Sequence, residues 1–457
     1  MLSAMNHFPQ TLAAIGLDVN AAYLDELKGE LAGRPGREKA SLLHASFFTT
    51  DWSGVLGDLP EPMLVIGNPP WVTNAALGAL GSANLPKKSN FQKHSGLDAI
   101  TGKGNFDISE WMLIQCMEWL DGRNGTLAML CKTAVGRKLL LHAWKNNMRL
   151  GAAALYGIDA ALHFNATVDA CLLVCEFRPR SHQKVARVYA SLDSNRAETQ
   201  LGWRAGHVVA NVTAFDRWAH LVVSGNNGQY TWRSGVKHDC SKVMELSEKD
   251  GHWFNKLGEC VEIEPTFVFP MLKSSGVAKG HVANPTSRMI VTQSAVNEDT
   301  AAIRDRAPKT WAYLISHADL LDGRRSSIYR NRPRFSVFGV GDYAFSSHKV
   351  AISGFYKRLH FEVVPAHRGK PVVLDDTVYF LACESKDEAE FLAEMLNSDV
   401  AREFYSAFVF WDAKRPITVE VLRRLDLRKL ARHLGRIRDF EKFAIPERSA
   451  ARQKYLF

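Results

Sequence analysis

Residues 63–71 read MLVIGNPPW, and this stretch decides the fold of the first part of the chain. The apolar run Met63–Ile66 stops at Gly67-Asn68-Pro69-Pro70. Two successive prolines cannot donate to a sheet ladder, so a strand ends here and its tip is stiff. That tip carries an amide, Asn68, and an indole, Trp71. In an α/β sheet, ligands sit beyond the carboxyl ends of the strands. Residues 68–71 are therefore the first candidate site.

These residue types suit one chemistry. An exocyclic amino group conjugated to an aromatic ring, such as N6 of adenine, is a poor nucleophile because its lone pair is delocalised. Acceptors on its two N–H bonds favour a more tetrahedral nitrogen. Asn68 Oδ1 can supply one acceptor and the Pro69 carbonyl the other, on a backbone that Pro69 and Pro70 keep stiff, while Trp71 stacks on the ring. No general base is required, because the amine can lose its proton after transfer. A plain strand-ending turn would explain these four residues in isolation. The apolar strand before them, and a second strand ending in Asp18 fifty residues upstream, argue for a site.

Around this stretch, the first 180 residues alternate β-branched runs with helical patterns, the α/β signature. Residues 13–19 read as a strand ending in Asp18, and 20–33 as a helix with Asn20 as cap and Gly33 as stop. A strand follows at 40–48. Residues 105–125 form an amphipathic helix with Ile108, Met112, Cys116 and Trp119 on one face. A buried strand at 126–132, a helix at 134–147, and a closing antiparallel pair at 152–158 and 167–177 complete the unit. From about Arg178 the pattern becomes polar and mixed, a connector with some strand. The organisation read from the chain is a catalytic domain over 1–180, a connector over 181–228, an α+β domain over 229–427 and a basic helical tail over 428–457. A helix with a capping box, Ser385 and Glu388, lies near the end of the third segment.

Composition bounds the partners. No apolar run approaches the ~20 residues of a membrane helix, and the N-terminus lacks a secretory signal. The seven cysteines are scattered with no metal-ligand spacing. A reduced, cytoplasmic interior without a metal site is expected. The net charge of +9 favours a polyanion. Between Leu321 and His360, eight Lys/Arg stand against two Asp, with seven Phe and Tyr interleaved. A solvated surface would explain the charges; the mixture of Arg, Gly and aromatics points to nucleic acid, with Arg324, Arg325, Arg330, Arg332 and Arg334 as candidate contacts.

With these motifs in place, the sequence resembles the N6-adenine DNA methyltransferase family, in the subgroup with the catalytic domain first and the target-recognition domain second. Asn68-Pro69-Pro70-Trp71 is similar to its catalytic motif. The resemblance implies a Rossmann-like class I methyltransferase sheet, S-adenosylmethionine as cofactor and double-stranded DNA as substrate. It implies that Asp18 binds the cofactor ribose, and that Ser46, where the family has an acidic residue, and Phe47 lie at the cofactor adenine. Asp107, in KGNFDISEWML, would lie near the cofactor with Asn68. Phe164, in LHFNATVDACLLVCEF, would pack with Trp71 on an extruded adenine, although a core position would explain it equally. Segments 232–246, 270–276 and 337–357 resemble recurring elements of the recognition domain and add Lys237, Lys349 and Lys357 as DNA contacts.

One family element is missing. A glycine-rich turn should follow a first strand lying between the strands that carry Asp18 and Asn68. Asp18 is only seventeen residues from Met1, and residues 1–12 read as a helix and its exit at Phe8-Pro9. The expectation is a chain that begins after that turn, with its neighbouring strands either apart or collapsed together. Two alternatives follow: a DNA-binding fragment or subunit that needs a partner bearing the turn, and a protein-glutamine methyltransferase, which shares Asn-Pro-Pro but lacks a long basic, aromatic C-terminal half. No fused nuclease motif is present; a separate restriction endonuclease would complete a restriction–modification pair.

Overall fold

A computed structural model describes residues 1–71, 108–224 and 230–443. The chain forms two compact units, Met1–Val212 and Thr213–Phe457.

The first unit is α/β. It opens with a short helix, α1 (Leu2–His7), and strand β1 (Ala14–Asp18). Helix α2 (Ala21–Leu31) follows, capped by Asn20, whose side chain accepts from the Ala22 N–H. Strand β2 (Ala40–His44) pairs parallel with β1, Asp18 opposite His44. Strand β3 (Met63–Gly67) then pairs parallel with β4 (Gly125–Lys132), the register ending at Gly67 opposite Met129. Helix α3 (Ile108–Leu120) leads into β4 and α4 (Thr133–Lys145) leads out of it. Strands β5 (Leu150–Ile158) and β6 (Ala170–Phe177) form the expected antiparallel pair, joined through the one-turn helix α5 (Ala160–Phe164), with β6 inserted between β4 and β5.

The connector over 181–228, expected to hold some strand, contributes three short strands to the sheet. Strands β7 (Val185–Tyr189), β8 (Thr199–Arg204) and β9 (His207–Val209) extend the seven-stranded order β3-β4-β6-β5-β7-β8-β9. Its polar residues fit because strands at the far end of a sheet are part-solvated. The buried side of α3 is wider than the expected stripe. Leu113, Ile114, Met117 and Leu120 are buried beside Ile108 and Cys116, whereas Met112 and Trp119 are half-buried. The helix packs against both β4 and α4, so two faces are covered.

The pair β1–β2 forms its own two-stranded sheet. Among the described residues, β1 pairs only with β2 and β3 only with β4, and β1 does not pair with β3. Leu64 and Ile66 of β3 are exposed.

The second unit is α+β. One sheet runs β13-β12-β11-β15-β14-β18, built from β11 (Glu245–Lys249), β12 (His252–Asn255), β13 (Cys260–Val261), β14 (Val268–Leu272), β15 (Ser287–Ile290) and β18 (Val373–Leu374). The other runs β10-β19-β16-β17, from β10 (Arg233–Ser234), β16 (His348–Ser353), β17 (Glu362–Pro365) and β19 (Val378–Cys383). Helix α6 (Lys386–Leu396) packs on β16, β17 and β19, with Ser385 accepting from the Glu388 N–H as its cap. The segment expected as a basic helical tail buries Leu430, Ala431 and Phe440; residues 444–457 lie outside the described residues. No described helix is long and apolar enough to cross a membrane, and no described group of His, Cys, Asp and Glu could hold a metal.

Candidate active site

Strand β3 is three residues shorter than β4, so among the described residues the end of β4 has no strand neighbour on that side after Met129. The Asn68–Trp71 loop fills this edge. Prolines 69 and 70 have no N–H to offer. Instead the Trp71 indole Nε1–H donates to the Leu130 carbonyl at 3.4 Å, and Lys132 Nζ donates to the Trp71 carbonyl at 2.9 Å. Pro69 is buried, whereas Asn68 and Pro70 are exposed. The Asn68 amide makes no hydrogen bond with any described residue.

The partner of Trp71 comes from the end of β5. Asp159 accepts from the Leu162 N–H at 3.0 Å and starts α5. Asn165, in the left-handed region at φ 51°, stops it. The Phe164 ring is thereby set edge-on to Trp71, centroids 5.5 Å apart at 75°. Phe164 is 42% exposed, which removes the core explanation for it. Two aromatic rings, an exposed amide and a stiff carbonyl thus meet where β3, β4 and β5 end. That arrangement can hold a flat ring and accept from an amino group.

Asp18 ends β1 as expected. Its Oδ1 accepts from the Asn20 N–H at 2.8 Å, and its other oxygen makes no hydrogen bond with a described residue. His44 Nε2 meets the Val19 carbonyl at 3.1 Å, fixing the two strand ends together. Ser46 is committed locally: its Oγ accepts from the Phe48 N–H at 3.2 Å and its carbonyl accepts from Thr50. The Phe47 ring lies within 5.1–6.0 Å of the rings of Trp52, Trp119, Phe48 and Trp111, a packed aromatic cluster. Asp107 lies outside the described residues.

The basic candidates of the second unit separate into three kinds. Lys349 is a correction: it is 1% exposed in the middle of a sheet, donates to the Ser346 carbonyl, and does not present its ammonium to a duplex. Burial pushes the pKa of that ammonium down to about 7. Arg324 is also structural. It is half-buried, donates to the carbonyls of Leu321, His238 and Ser336 at 2.7–3.1 Å, and stacks 3.7 Å over Tyr329. Arg334 pairs with Asp322 at 2.7 Å, Arg332 with Asn297, and Lys237 with Asp239 at 3.2 Å. Arg325, Arg330 and Lys357 are exposed and have no side-chain partner among the described residues.

Sequence reasoning missed Lys132. Its signal was present, a cation closing an otherwise apolar strand, TLAMLCK. It also missed Glu245, 6% exposed, which gathers Lys256 at 2.5 Å, Lys273 at 2.6 Å and His238 at 3.3 Å. The Cys240 N–H donates to His238 Nδ1, so Nε2 carries the proton toward Glu245.

No family model matches the chain. It is 44% identical over 431 residues to the Type II methyltransferase M.NspV of Nostoc sp. (strain ATCC 29411 / PCC 7524), covering 94% of this chain and 89% of that protein. Among solved structures it is similar to the Type IIL restriction-modification enzyme MmeI in complex with DNA, at TM-score 0.49 and 12% identity over 82% of this chain and 48% of that one. It is also similar to the type IIG restriction endonuclease BpuSI, at TM-score 0.34 and 13% identity over 97% of this chain and 57% of that one. The chain spans about half the length of these two solved proteins.

Proposed function

We propose, from the premise that this chain belongs to the Type II methyltransferase family, that it transfers a methyl group from S-adenosylmethionine to N6 of adenine in double-stranded DNA. The observation that carries the reading is the Asn68–Trp71 loop at the end of β3, with its exposed amide and with Trp71 beside Phe164.

Asn68 Oδ1 and the Pro69 carbonyl accept the two N6–H bonds and turn the nitrogen lone pair outward. Trp71 and Phe164 hold the extruded base, in a place that a stacked base inside a duplex does not reach. The work is positioning and acceptor placement, with no general base. The residues fit the cofactor at its ribose end, where Asp18 has an oxygen left for a hydroxyl. By the family resemblance, Asn68 and Asp107 would also help to hold it. Ser46 offers no second carboxylate, and Phe47 contributes through the aromatic cluster it belongs to. When bound, the cofactor supplies an electrophilic methyl on a sulfonium. The second unit reads the DNA, with Arg325, Arg330 and Lys357 as the most available cations, and a separate endonuclease would complete a restriction–modification pair.

A second reading has one observation behind it. Strands β1 and β3 each pair on one side only among the described residues. On this reading the chain binds DNA but holds the cofactor weakly until a partner adds to that region.

The test is incubation with a labelled cofactor and adenine-containing duplexes, digestion to nucleosides and mass analysis. N6-methyladenine supports the first reading. Methylcytosine, or label on protein glutamine, refutes it. DNA binding without transfer, restored by a second protein, supports the second reading.

A further inference from the structure

We infer that Lys132 is a positioning residue for methyl transfer, holding the Asn68–Trp71 loop against the end of β4; this rests on the transfer reading above. Its backbone is fixed on the far side by β6, where Lys132 lies opposite Ala170 and the Thr133 N–H donates to the Asp169 carbonyl at 2.9 Å. The side chain reaches back across the strand, and Nζ meets the Trp71 carbonyl at 2.9 Å. Lys132 is part-buried, so this bond is shielded from bulk water.

The loop has few other ties among the described residues. Its prolines donate nothing, Asn68 makes no bond with a described residue, and the indole bond to Leu130 is long at 3.4 Å. Lys132 therefore fixes the Trp71 carbonyl. Through the stiff Pro69-Pro70 link, it fixes the direction of the Pro69 carbonyl that the amino group must meet. It also sets the angle at which Trp71 faces Phe164. A loop displaced by about 1 Å loses on the order of 10² in rate. On this reading Lys132 acts through Trp71 rather than on the reacting atoms.

The experiment uses the full chain with 5-fluorotryptophan at its 11 tryptophans, and Trp71→Phe to assign the Trp71 fluorine resonance. Lys132→Met keeps the aliphatic stem and removes the donor; Lys132→Arg restores a donor. The methionine variant should shift and broaden the Trp71 resonance alone, and arginine should return it. In single-turnover transfer to an adenine duplex, Lys132→Met should lower the rate constant by about 10- to 100-fold. The Kd values for DNA and cofactor should stay within about threefold, with most of the rate recovered by arginine. Lys132→Gln, too short to reach the carbonyl, repeats the measurement should the methionine variant not fold. An unmoved Trp71 resonance overturns the inference, and so does a loss that appears only in DNA or cofactor affinity. A wild-type chain that methylates no adenine fails the transfer reading, while the resonance still decides whether Lys132 holds the loop.

Discussion

Replacing Asn68 by alanine should separate chemistry from folding and from DNA binding. Asn68 is exposed and its amide bonds to no described residue, so its loss removes no hydrogen bond to them. The stability change should stay within about 0.5 kcal/mol, the ordinary range for a surface substitution. The loop keeps its shape, because its ties run through Trp71 to Leu130 and Lys132. What disappears is one of the two acceptors on the amino group. Deleting a single oriented polar group that acts in the transition state costs about 10²–10³ in rate, roughly 3–4 kcal/mol. Single-turnover transfer from labelled cofactor to a cognate duplex measures this directly, with the duplex Kd and the melting temperature followed in parallel. The expected result is a rate lower by two to three powers of ten at unchanged Kd and Tm. A variant turning over within threefold of wild type would refute the role of Asn68. A variant that loses DNA binding in proportion would show that the residue belongs to the duplex surface instead.

Three further outcomes are expected. Arg325→Ala, Arg330→Ala and Lys357→Ala together should flatten the log–log salt dependence of DNA binding, by about 0.9 for each phosphate that is no longer neutralised; an unchanged slope would make these residues a solvated face. Arg324→Ala should instead lower the melting temperature of the second unit at an unchanged salt slope, because its guanidinium donates to three backbone carbonyls. Burial pushes the Glu245 carboxyl up, but hydrogen bonds from His238, Lys256 and Lys273 outweigh it and hold the group at about 2. A carboxyl depressed from its ordinary value near about 4.3 contributes stability that is full above that pH and fades as pH falls toward about 2. Discounted for the partly exposed lysines, this is about 2 kcal/mol. Glu245→Gln should thus destabilise near neutral pH and converge with wild type in acid, as followed by denaturant melts; a difference that stays constant from about pH 6 to about pH 2.5 would exclude the ionised network.

The chemistry-bearing end of the fold was legible because the signals there are local. Gly67-Asn68-Pro69-Pro70 terminates a strand by covalent geometry alone, and Asn20 and Ser385 cap the helices that follow them. The burial of Lys349 was not legible. Strand β16 is covered on both faces, with five of its six residues buried, so no alternation marks the lysine as inward. Arg324 misled for a related reason. Its neighbours in sequence are basic and polar, but its guanidinium is spent on carbonyls brought in from Leu321, His238 and Ser336. Strands β7 to β9 were legible only as some strand within a polar connector, because a part-solvated sheet end has the composition of a loop. Lys132 could have been suspected from its place at the end of β4, but its target, a carbonyl 61 residues away, is a product of strand order.

The antiparallel insertion of β6 has a practical consequence for anyone engineering this protein. Because β6 reverses direction between two strands that run with β3, the ends of β3, β4 and β5 all open on one rim, where Asn68, Lys132 and Phe164 gather. The turn between β6 and β7 belongs to the opposite rim, and Arg178, Pro179, Arg180, His182 and Gln183 in it are exposed. A fluorophore, affinity handle or grafted loop placed there is separated from the candidate site by the full length of the strands, which makes it the natural attachment point for reporters of turnover.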